Sequence, residues 1–193
     1  IPVAAPSANL SGSPSPTCAA HVMHDMHGAI SYILDGGNCD VGLESTVLDV
    51  TGKNPVILRP GAITEEMIKE ACKESGVHIS GVRSTTSVDG SKTPSAPGMK
   101  YRHYAPKARV VIFTKEEEPL KEWIDIVREI LGEKPRVNLL GVYCCSQDAW
   151  MLREKMNPAE SLRVKILIYG QMGDTSVASS KLFSALRSFD DMH

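Results

Sequence analysis

The spacing of apolar and polar positions divides the 193-residue chain into three stretches of different texture. In the first, residues 1–82, short apolar runs alternate with turn-forming residues. A loop rich in Ser, Pro and Gly runs from Pro6 to Thr17, and Val22, Met23 and Met26 then carry the spacing of a short helix. Strand-like runs follow at Ala29–Leu34, Ser45–Val50 and Pro55–Leu58. Thr51-Gly52-Lys53-Asn54 joins the last two, a turn-rich connection that predicts antiparallel pairing. A helix after them is marked at both ends. Thr64 is an N-cap residue, Glu65 and Glu66 suit the positive end of the helix dipole, and Gly76 stands just past the last turn. Ile63 and Ile68 hold the positions of a hydrophobic staple, and Met67, Ile68, Ala71 and Cys72 form the expected apolar stripe.

The second stretch, residues 83–108, has almost no periodicity and reads as a linker. Its composition changes inside it. From Gly98 to Arg109 the chain carries Lys100, Arg102, Lys107, Arg109 and His103 without an acid, together with Met99, Tyr101 and Tyr104. Aromatic residues in a basic segment predict a linker that folds against something. The third stretch, residues 109–193, alternates two periods. Val110–Phe113, Val137–Tyr143 and Val164–Tyr169 read as strands. Leu120, Trp123, Ile124, Val127, Ile130 and Leu131 share one helical face, a second helix is expected around Trp150 and Leu152, and Ala178, Leu182, Ala185 and Phe189 mark a third. Glu116-Glu117-Glu118 reads as a solvated helix start, and Trp123 and Trp150 as packing residues. Continuous apolar strands between helices predict a small parallel sheet, so the fold class is two-part α/β.

Composition narrows the function classes. Lys and Arg number 21 and Asp and Glu 23, a net charge of −2, which argues against bulk electrostatic binding to nucleic acid or an anionic membrane and leaves room for a local basic patch. No apolar run is long enough to span a bilayer and no signal-peptide pattern opens the chain, so a soluble protein is expected. The five cysteines are odd in number and lack C-x-x-C spacing, which predicts reduced residues in a cytoplasmic protein. The two ends, Ile1-Pro2-Val3-Ala4-Ala5-Pro6 and Asp191-Met192-His193, read as cuts in a longer chain.

Three segments carry chemistry. Pro6-Ser7-Ala8-Asn9-Leu10-Ser11-Gly12-Ser13-Pro14-Ser15-Pro16-Thr17 crowds short neutral hydrogen-bonding groups into one loop, which suits a phosphate or an amino-acid carboxylate; taken alone it more often marks a solvated turn ahead of a helix N-cap. Glu44-Ser45-Thr46-Val47 puts a hydroxyl pair at a strand start. Leu58-Arg59-Pro60-Gly61 puts at a strand end an arginine whose planar fork can grip an anion; alone, such an arginine is more often a surface charge. His21, His24 and His27 recur at three-residue spacing, but on a helix only an adjacent pair could share a ligand, and a surface role is the expectation. Gly170-Gln171-Met172-Gly173 is too weak a signal for a phosphate loop.

Taken in order, Pro-Ser-Ala-Asn, Ser-Gly, Ser-Pro-Thr, Gly36-Gly37, Glu44-Ser45-Thr46-Val47, Leu58-Arg59-Pro60-Gly61 and the segment Ala96-Pro97-Gly98-Met99-Lys100-Tyr101-Arg102-His103-Tyr104-Ala105-Pro106 closely resemble the Sua5 branch of the Sua5/YciO/YrdC family. The resemblance covers nearly the whole chain. It implies the C-terminal part of a YrdC-like twisted mixed sheet over 1–82, a structured linker over 83–108, and a small Rossmann-like Sua5 domain over 109–193, itself truncated at its C-terminus. It further implies synthesis of L-threonylcarbamoyladenylate from L-threonine, bicarbonate or CO2, and ATP, with release of pyrophosphate, for N6-threonylcarbamoyladenosine modification of tRNA. Ser7 and Ser45 would contact threonine; Asn9, Thr17, Arg59 and His103 would hold ATP or the adenylate; Lys100, Tyr101 and Tyr104 would form a lid with His103. Mg2+ would accompany ATP without a protein cage, and the product would pass to the tRNA threonylcarbamoyl transferase machinery. The resemblance also implies a Lys-x-Arg motif in the N-terminal half of the family's pocket, ahead of Ile1. Two other classes stay open: an RNA-binding module, to be told apart by salt-dependent tRNA binding indifferent to ATP and threonine, and a non-catalytic fragment that docks to tRNA-modification proteins. A carbamoyltransferase of the hydrogenase-maturation type shares the YrdC fold, but the linker motif and the domain after it argue against it.

Overall fold

A computed structural model of the chain describes residues 1–2, 5–52, 54–76, 106–114, 122–133 and 137–192, and the backbone pairing of 83–84. It is a mixed α/β structure with two compact units, Ile1–Ala105 and Pro106–His193. Among the described residues no helix is long and apolar enough to cross a membrane, and none of the five cysteines is bridged to another.

The first unit contains helix α1 (Ala19–Met26), strands β1 (Val47–Asp49) and β2 (Val56–Arg59), helix α2 (Glu65–Glu74) and strand β3 (Arg83–Ser84). β1 and β2 pair antiparallel, as the turn between them predicts, and β3 adds in parallel to β2. The turn is closed by Asp49, whose carboxylate accepts from the Thr51 N–H at 2.9 Å and from its hydroxyl at 2.7 Å. These bonds, the N–H first, hold the Asp49 carboxyl below its ordinary range. Val47 pairs with Arg59 but Leu48 with Ile57, so Leu58 is an extra residue on β2. This bulge falls next to Arg59 and takes it out of the regular alternation of the ladder. Helix α2 starts where expected: the Thr64 hydroxyl accepts from the Met67 N–H at 3.3 Å, and Gly76, at φ 67°, ends the segment in a conformation that costs other residues strain. Ile57 and Ile68 form the small core of this unit, with Leu48 and Cys72 against it.

Two expectations for this unit are corrected. Ala29–Leu34 is not a strand; Tyr32 and Leu34 are almost wholly exposed, and among the described residues no strand lies beside it to take its backbone groups. An alternating run forms a strand only against a partner. Met67 and Ala71, placed on the apolar stripe of α2, face solvent, so the buried face is the narrower one of Ile68 and Cys72.

The second unit runs α3 (Trp123–Gly132), β4 (Leu140–Cys144), α4 (Ser146–Lys155), α5 (Pro158–Ser161), β5 (Val164–Ile168) and α6 (Thr175–Asp190). β4 and β5 are parallel and in register from Leu140 opposite Val164 to Cys144 opposite Ile168. Ile124, Val127 and Leu131 of α3 pack with Leu152 of α4 into the core, against Leu140 and Val142 of β4 and Val164 and Ile166 of β5. Gly141 is required by the last helix: a Cβ there would stand 2.5 Å from the Phe189 ring. Tyr143 fixes the start of α6, its hydroxyl donating to the Ala178 carbonyl at 2.5 Å. Val110–Phe113 is not a strand in the described structure, and Val110, Val111 and Ile112 are exposed. A continuous apolar run has no alternation from which a register could be read. Trp150, expected in the core, is 65% exposed because it lies on the face of α4 opposite the buried Ala149 and Leu152.

Candidate functional site

The two motifs of the first unit, Glu44-Ser45-Thr46 and Arg59-Pro60-Gly61, are laced together. Nε and Nη2 of Arg59 both donate to the Ser45 carbonyl, at 3.1 and 3.0 Å, and Nη2 also donates to the Ser45 hydroxyl oxygen at 2.9 Å. The Ala62 N–H donates to the Glu44 carbonyl at 2.9 Å. The Thr46 hydroxyl bridges both backbone groups of Ile63, donating to its carbonyl at 2.6 Å and accepting from its N–H at 3.1 Å. Gly61 permits the crossing. A Cβ built on it would lie 2.4 Å from the Ser45 carbonyl carbon and 2.5 Å from both the Glu44 oxygen and the Thr46 nitrogen. Only a residue without a side chain fits so close to another backbone.

Glu44 ties this crossing to the Ser-rich loop. Its carboxylate accepts the Ser15 hydroxyl and stands 3.8 Å from Arg59 Nη2. Both side chains of the ion pair are mostly shielded, with 17% and 18% exposure, so the guanidinium is oriented rather than waving in water. Ser45 itself is exposed. A hydroxyl that accepts from a guanidinium still has its own proton to give. The arrangement can therefore present an oriented cation and an oriented hydroxyl donor to an anion.

The loop is shaped by its own side chains. Asn9 Nδ2 donates to the carbonyls of Leu10 at 3.0 Å and Ser13 at 3.1 Å, while its Oδ1 is buried with no partner among the described residues. An orphaned buried acceptor calls for a donor from a water or a ligand. The Leu10 N–H donates to Asp25 Oδ2 at 3.2 Å, which anchors the loop on α1. Thr17 is 7% exposed; its N–H donates to His21 Nδ1 at 3.1 Å and its hydroxyl lies 3.3 Å from the same atom. His24 pairs with Asp25 at 2.9 Å. Among the described residues no group of three His, Cys, Asp or Glu could hold a metal ion.

Of the residues singled out by sequence, the structure thus brings Ser45 and Arg59 into direct contact. Asn9 is placed in the loop that Ser15 links to them through Glu44. Thr17 is buried against His21, and Ser7 is exposed, outside this network. Lys100, Tyr101, His103 and Tyr104, with the rest of the segment 96–105, lie outside the described residues, as do Glu116-Glu117-Glu118 and Leu120. Sequence reasoning passed over Glu44 and Ser15. An acid at the head of the hydroxyl pair was the available signal for Glu44; nothing marked Ser15 apart from the serines around it. An open depression of about 530 Å3 in the second unit, lined by Ser146, Gln147, Trp150, Met151 and Gln171, contains none of these residues.

Residues 63–193 match the family model described as Threonylcarbamoyl-AMP synthase, C-terminal domain, and residues 1–61 match the one described as Telomere recombination. Three curated relatives are each named threonylcarbamoyl-AMP synthase. The one from Bacillus subtilis is 38% identical over 191 residues, 99% of this chain and 49% of the relative. That from Schizosaccharomyces pombe is 47% identical over 98% of this chain and 45% of the relative, and that from Pyrococcus abyssi 43% identical over 72% and 40%. The crystal structure of P. abyssi Sua5 complexed with L-threonine superposes with a TM-score of 0.70 at 33% identity, covering 97% of this chain and 49% of that one. The chain spans about half the length of the curated relatives it matches.

Proposed function

Because the chain belongs to the Sua5 branch of the Sua5/YciO/YrdC family, we propose that the complete protein makes L-threonylcarbamoyladenylate from L-threonine, bicarbonate or CO2, and ATP. The product serves the N6-threonylcarbamoyladenosine modification of tRNA and passes to a threonylcarbamoyl transferase in the cytoplasm. The observation that carries this reading is the locked pair of Arg59 and Ser45 on a crossing that Gly61 alone permits.

The reaction needs positioning and charge stabilisation. The threonine amine takes up CO2 and loses a proton, giving a carbamate. A carbamate oxygen attacks the α-phosphorus of ATP, the bond to the β-phosphate oxygen breaks, and pyrophosphate leaves. No side chain has to act as a nucleophile. Negative charge grows on the phosphoryl oxygens, and a guanidinium held in place before the reaction stabilises it without reorganising. That is the role of Arg59. Its bonds to the Ser45 carbonyl set the plane of its fork, and Glu44 keeps the cation compensated until a phosphate replaces the carboxylate as its counter-charge.

Ser45, accepting from Arg59, turns its own proton toward the threonine carboxylate, and Ser7 is the second threonine contact. Asn9 Oδ1, the buried acceptor without a partner, suits an N–H of the nucleotide. Thr17 acts through its backbone and through the loop it closes, since its hydroxyl already faces His21. We read Lys100, Tyr101, His103 and Tyr104, in the linker 83–108 that follows the YrdC-like part, 1–82, and precedes the Sua5 part, 109–193, in sequence, as residues that would lie over the nucleotide. Mg2+ fits as an ion that arrives on ATP, because the Glu44 carboxylate at the Arg59 crossing is already engaged with Ser15 and Arg59 and a phosphate-borne ion takes its ligands from phosphate oxygens and water. There it would offset charge on the departing pyrophosphate.

Arg59→Ala in the complete protein tests the reading. Threonine-dependent pyrophosphate release should fall by at least about a hundredfold, the usual cost of removing one preorganised charge-stabilising donor. Release that stays within twofold of the unaltered protein would refute the role of Arg59.

A further inference from the structure

Helix α1 presents two side chains to the Ser-rich loop. His21 and Asp25 stand four residues apart on it, and positions so spaced share one helical face. Asp25, whose side chain is 3% exposed, accepts the Leu10 N–H on Oδ2 at 3.2 Å, and its Oδ1 lies 2.9 Å from His24 Nδ1. His21 accepts the Thr17 N–H on Nδ1 at 3.1 Å, and the Thr17 hydroxyl lies 3.3 Å from the same nitrogen. A backbone amide can only donate, so Nδ1 carries the lone pair and the ring proton sits on Nε2. The imidazolium form has no acceptor to offer. The Thr17 carbonyl is held too, by the Cys39 N–H at 2.8 Å, and the residue is buried.

These bonds do not serve the helix. Its N-cap, Cys18, makes no side-chain capping bond. His21, three residues on, stands where the partner in a capping box reaches back to the N-cap N–H. It reaches one residue farther, to Thr17, and so ties the loop instead of closing the helix. His24 and His27 are exposed, whereas His21 is half-buried. Leu10, bound by Asp25, directly follows Asn9, whose Nδ2 spans the loop to the Leu10 and Ser13 carbonyls. One face of α1 thus fixes the backbone at Thr17 and beside Asn9, the two loop residues assigned above to the nucleotide.

We propose that His21 and Asp25 are positioning residues: from one face of α1 they hold the Thr17 and Leu10 amides and so set residues 9–17 in the form that takes the nucleotide. The proposal rests on the nucleotide role of Asn9 and Thr17 given above.

The test on the complete protein is equilibrium binding of ATP, which does not depend on turnover. His21→Phe keeps a ring and removes the acceptor, while His21→Asn places an oxygen where Nδ1 stands. His21→Phe should weaken ATP binding about tenfold, as expected when a buried amide loses its partner, with the affinity for L-threonine within about twofold. His21→Asn should recover most of the loss, and Asp25→Leu and Asp25→Asn should behave as the same pair through Leu10. Amide hydrogen exchange should accelerate about tenfold at Thr17 in His21→Phe and at Leu10 in Asp25→Leu. His27→Phe, an exposed position at the end of the same helix, should change neither. In unaltered protein carrying isotope-labelled histidine, the nitrogen resonance of His21 Nδ1 should be that of an unprotonated acceptor; a protonated Nδ1 would overturn the role of His21 whatever the variants do. Unchanged exchange at Thr17 in His21→Phe, in a protein that melts normally, would overturn it as well. If His21→Phe did not fold, the Asp25 pair and the resonance would still decide. Faster exchange with unaltered ATP binding would overturn the positioning role. An unaltered protein that binds ATP yet releases no pyrophosphate with L-threonine would refute the proposed reaction and leave this role standing, whereas one that binds no ATP would overturn the role itself.

Discussion

Gly61→Ala is a single-methyl test of whether the crossing of the two motifs is as tight as described. A Cβ at residue 61 would sit 2.4 Å from the Ser45 carbonyl carbon and 2.5 Å from the Glu44 oxygen and Thr46 nitrogen. Ordinary contact is about 3.5 Å or more, so one backbone must move away from the other by about 1 Å. Nothing flexible is in the way, because all three clashing atoms are backbone. A shift of that size lengthens the Arg59–Ser45 bonds of 2.9 to 3.1 Å and the 2.9 Å bond from Ala62 to Glu44 beyond useful range. Overpacking costs about 1–3 kcal/mol and each weakened bond about 1 kcal/mol, so a loss of about 2–4 kcal/mol is expected. The measurement is equilibrium unfolding in urea, with Gly52→Ala as the control. A Cβ at Gly52 meets only the Asn54 oxygen, at 3.7 Å, and should shift stability by less than about 1 kcal/mol in either direction. If Gly61→Ala unfolded at the same urea concentration as Gly52→Ala, the close crossing would be wrong, and with it the reason given for the orientation of Arg59.

Three further outcomes can be checked on the same protein. Thr64→Ala removes the hydroxyl that accepts the Met67 N–H and should lower stability by about 1 kcal/mol, with Thr64→Asn restoring most of it in the same unfolding assay. Burial first, and then the neighbouring charge of Tyr169 or Asp148, pushes the pKa values of Tyr143 and Cys144 up to about 12 from 10.0 and 9.0. A value raised on folding means the neutral form is preferred in the native state. The resulting stabilisation is complete below pH 9 and is lost as pH rises toward 12, so unfolding curves at pH 8 and pH 11 should differ, and Tyr143→Phe should reduce the difference. Glu44→Gln removes the Glu44 charge beside Arg59 while keeping an acceptor for Ser15, so inorganic pyrophosphate should inhibit the variant more strongly than the unaltered protein; weaker inhibition would show that Glu44 does not restrain the guanidinium.

What could be read along the chain is what local chemistry decides. The α2 start at Thr64, the stop at Gly76 and the β1–β2 hairpin rest on residues within a few positions of one another, and each stands in the structure. Ala29–Leu34 and Val110–Phe113 were misread because apolar spacing describes a strand's faces and says nothing about its partner. Trp150 differs from its expected place because helical core spacing suggests packing there, whereas the buried face of α4 is set by Ala149 and Leu152. At the site, Arg59 and Ser45 were legible as residue types suited to anions. Their contact was not, since it depends on the Leu58 bulge, on the missing side chain of Gly61 and on Glu44, none of which has a periodic signature. The bonds from the Lys107 and Ala108 N–H groups to the Asp190 carboxylate span more than eighty residues and lie beyond any local pattern.

The central claim is a reaction with three substrates and one carbon of known origin. With labelled bicarbonate, L-threonine and ATP, the complete protein should place the label in an adenylate containing threonine and release one pyrophosphate for each label incorporated, with no product when L-threonine is left out. Pyrophosphate released at the same rate without L-threonine, or an adenylate that carries no label from bicarbonate, would contradict the account.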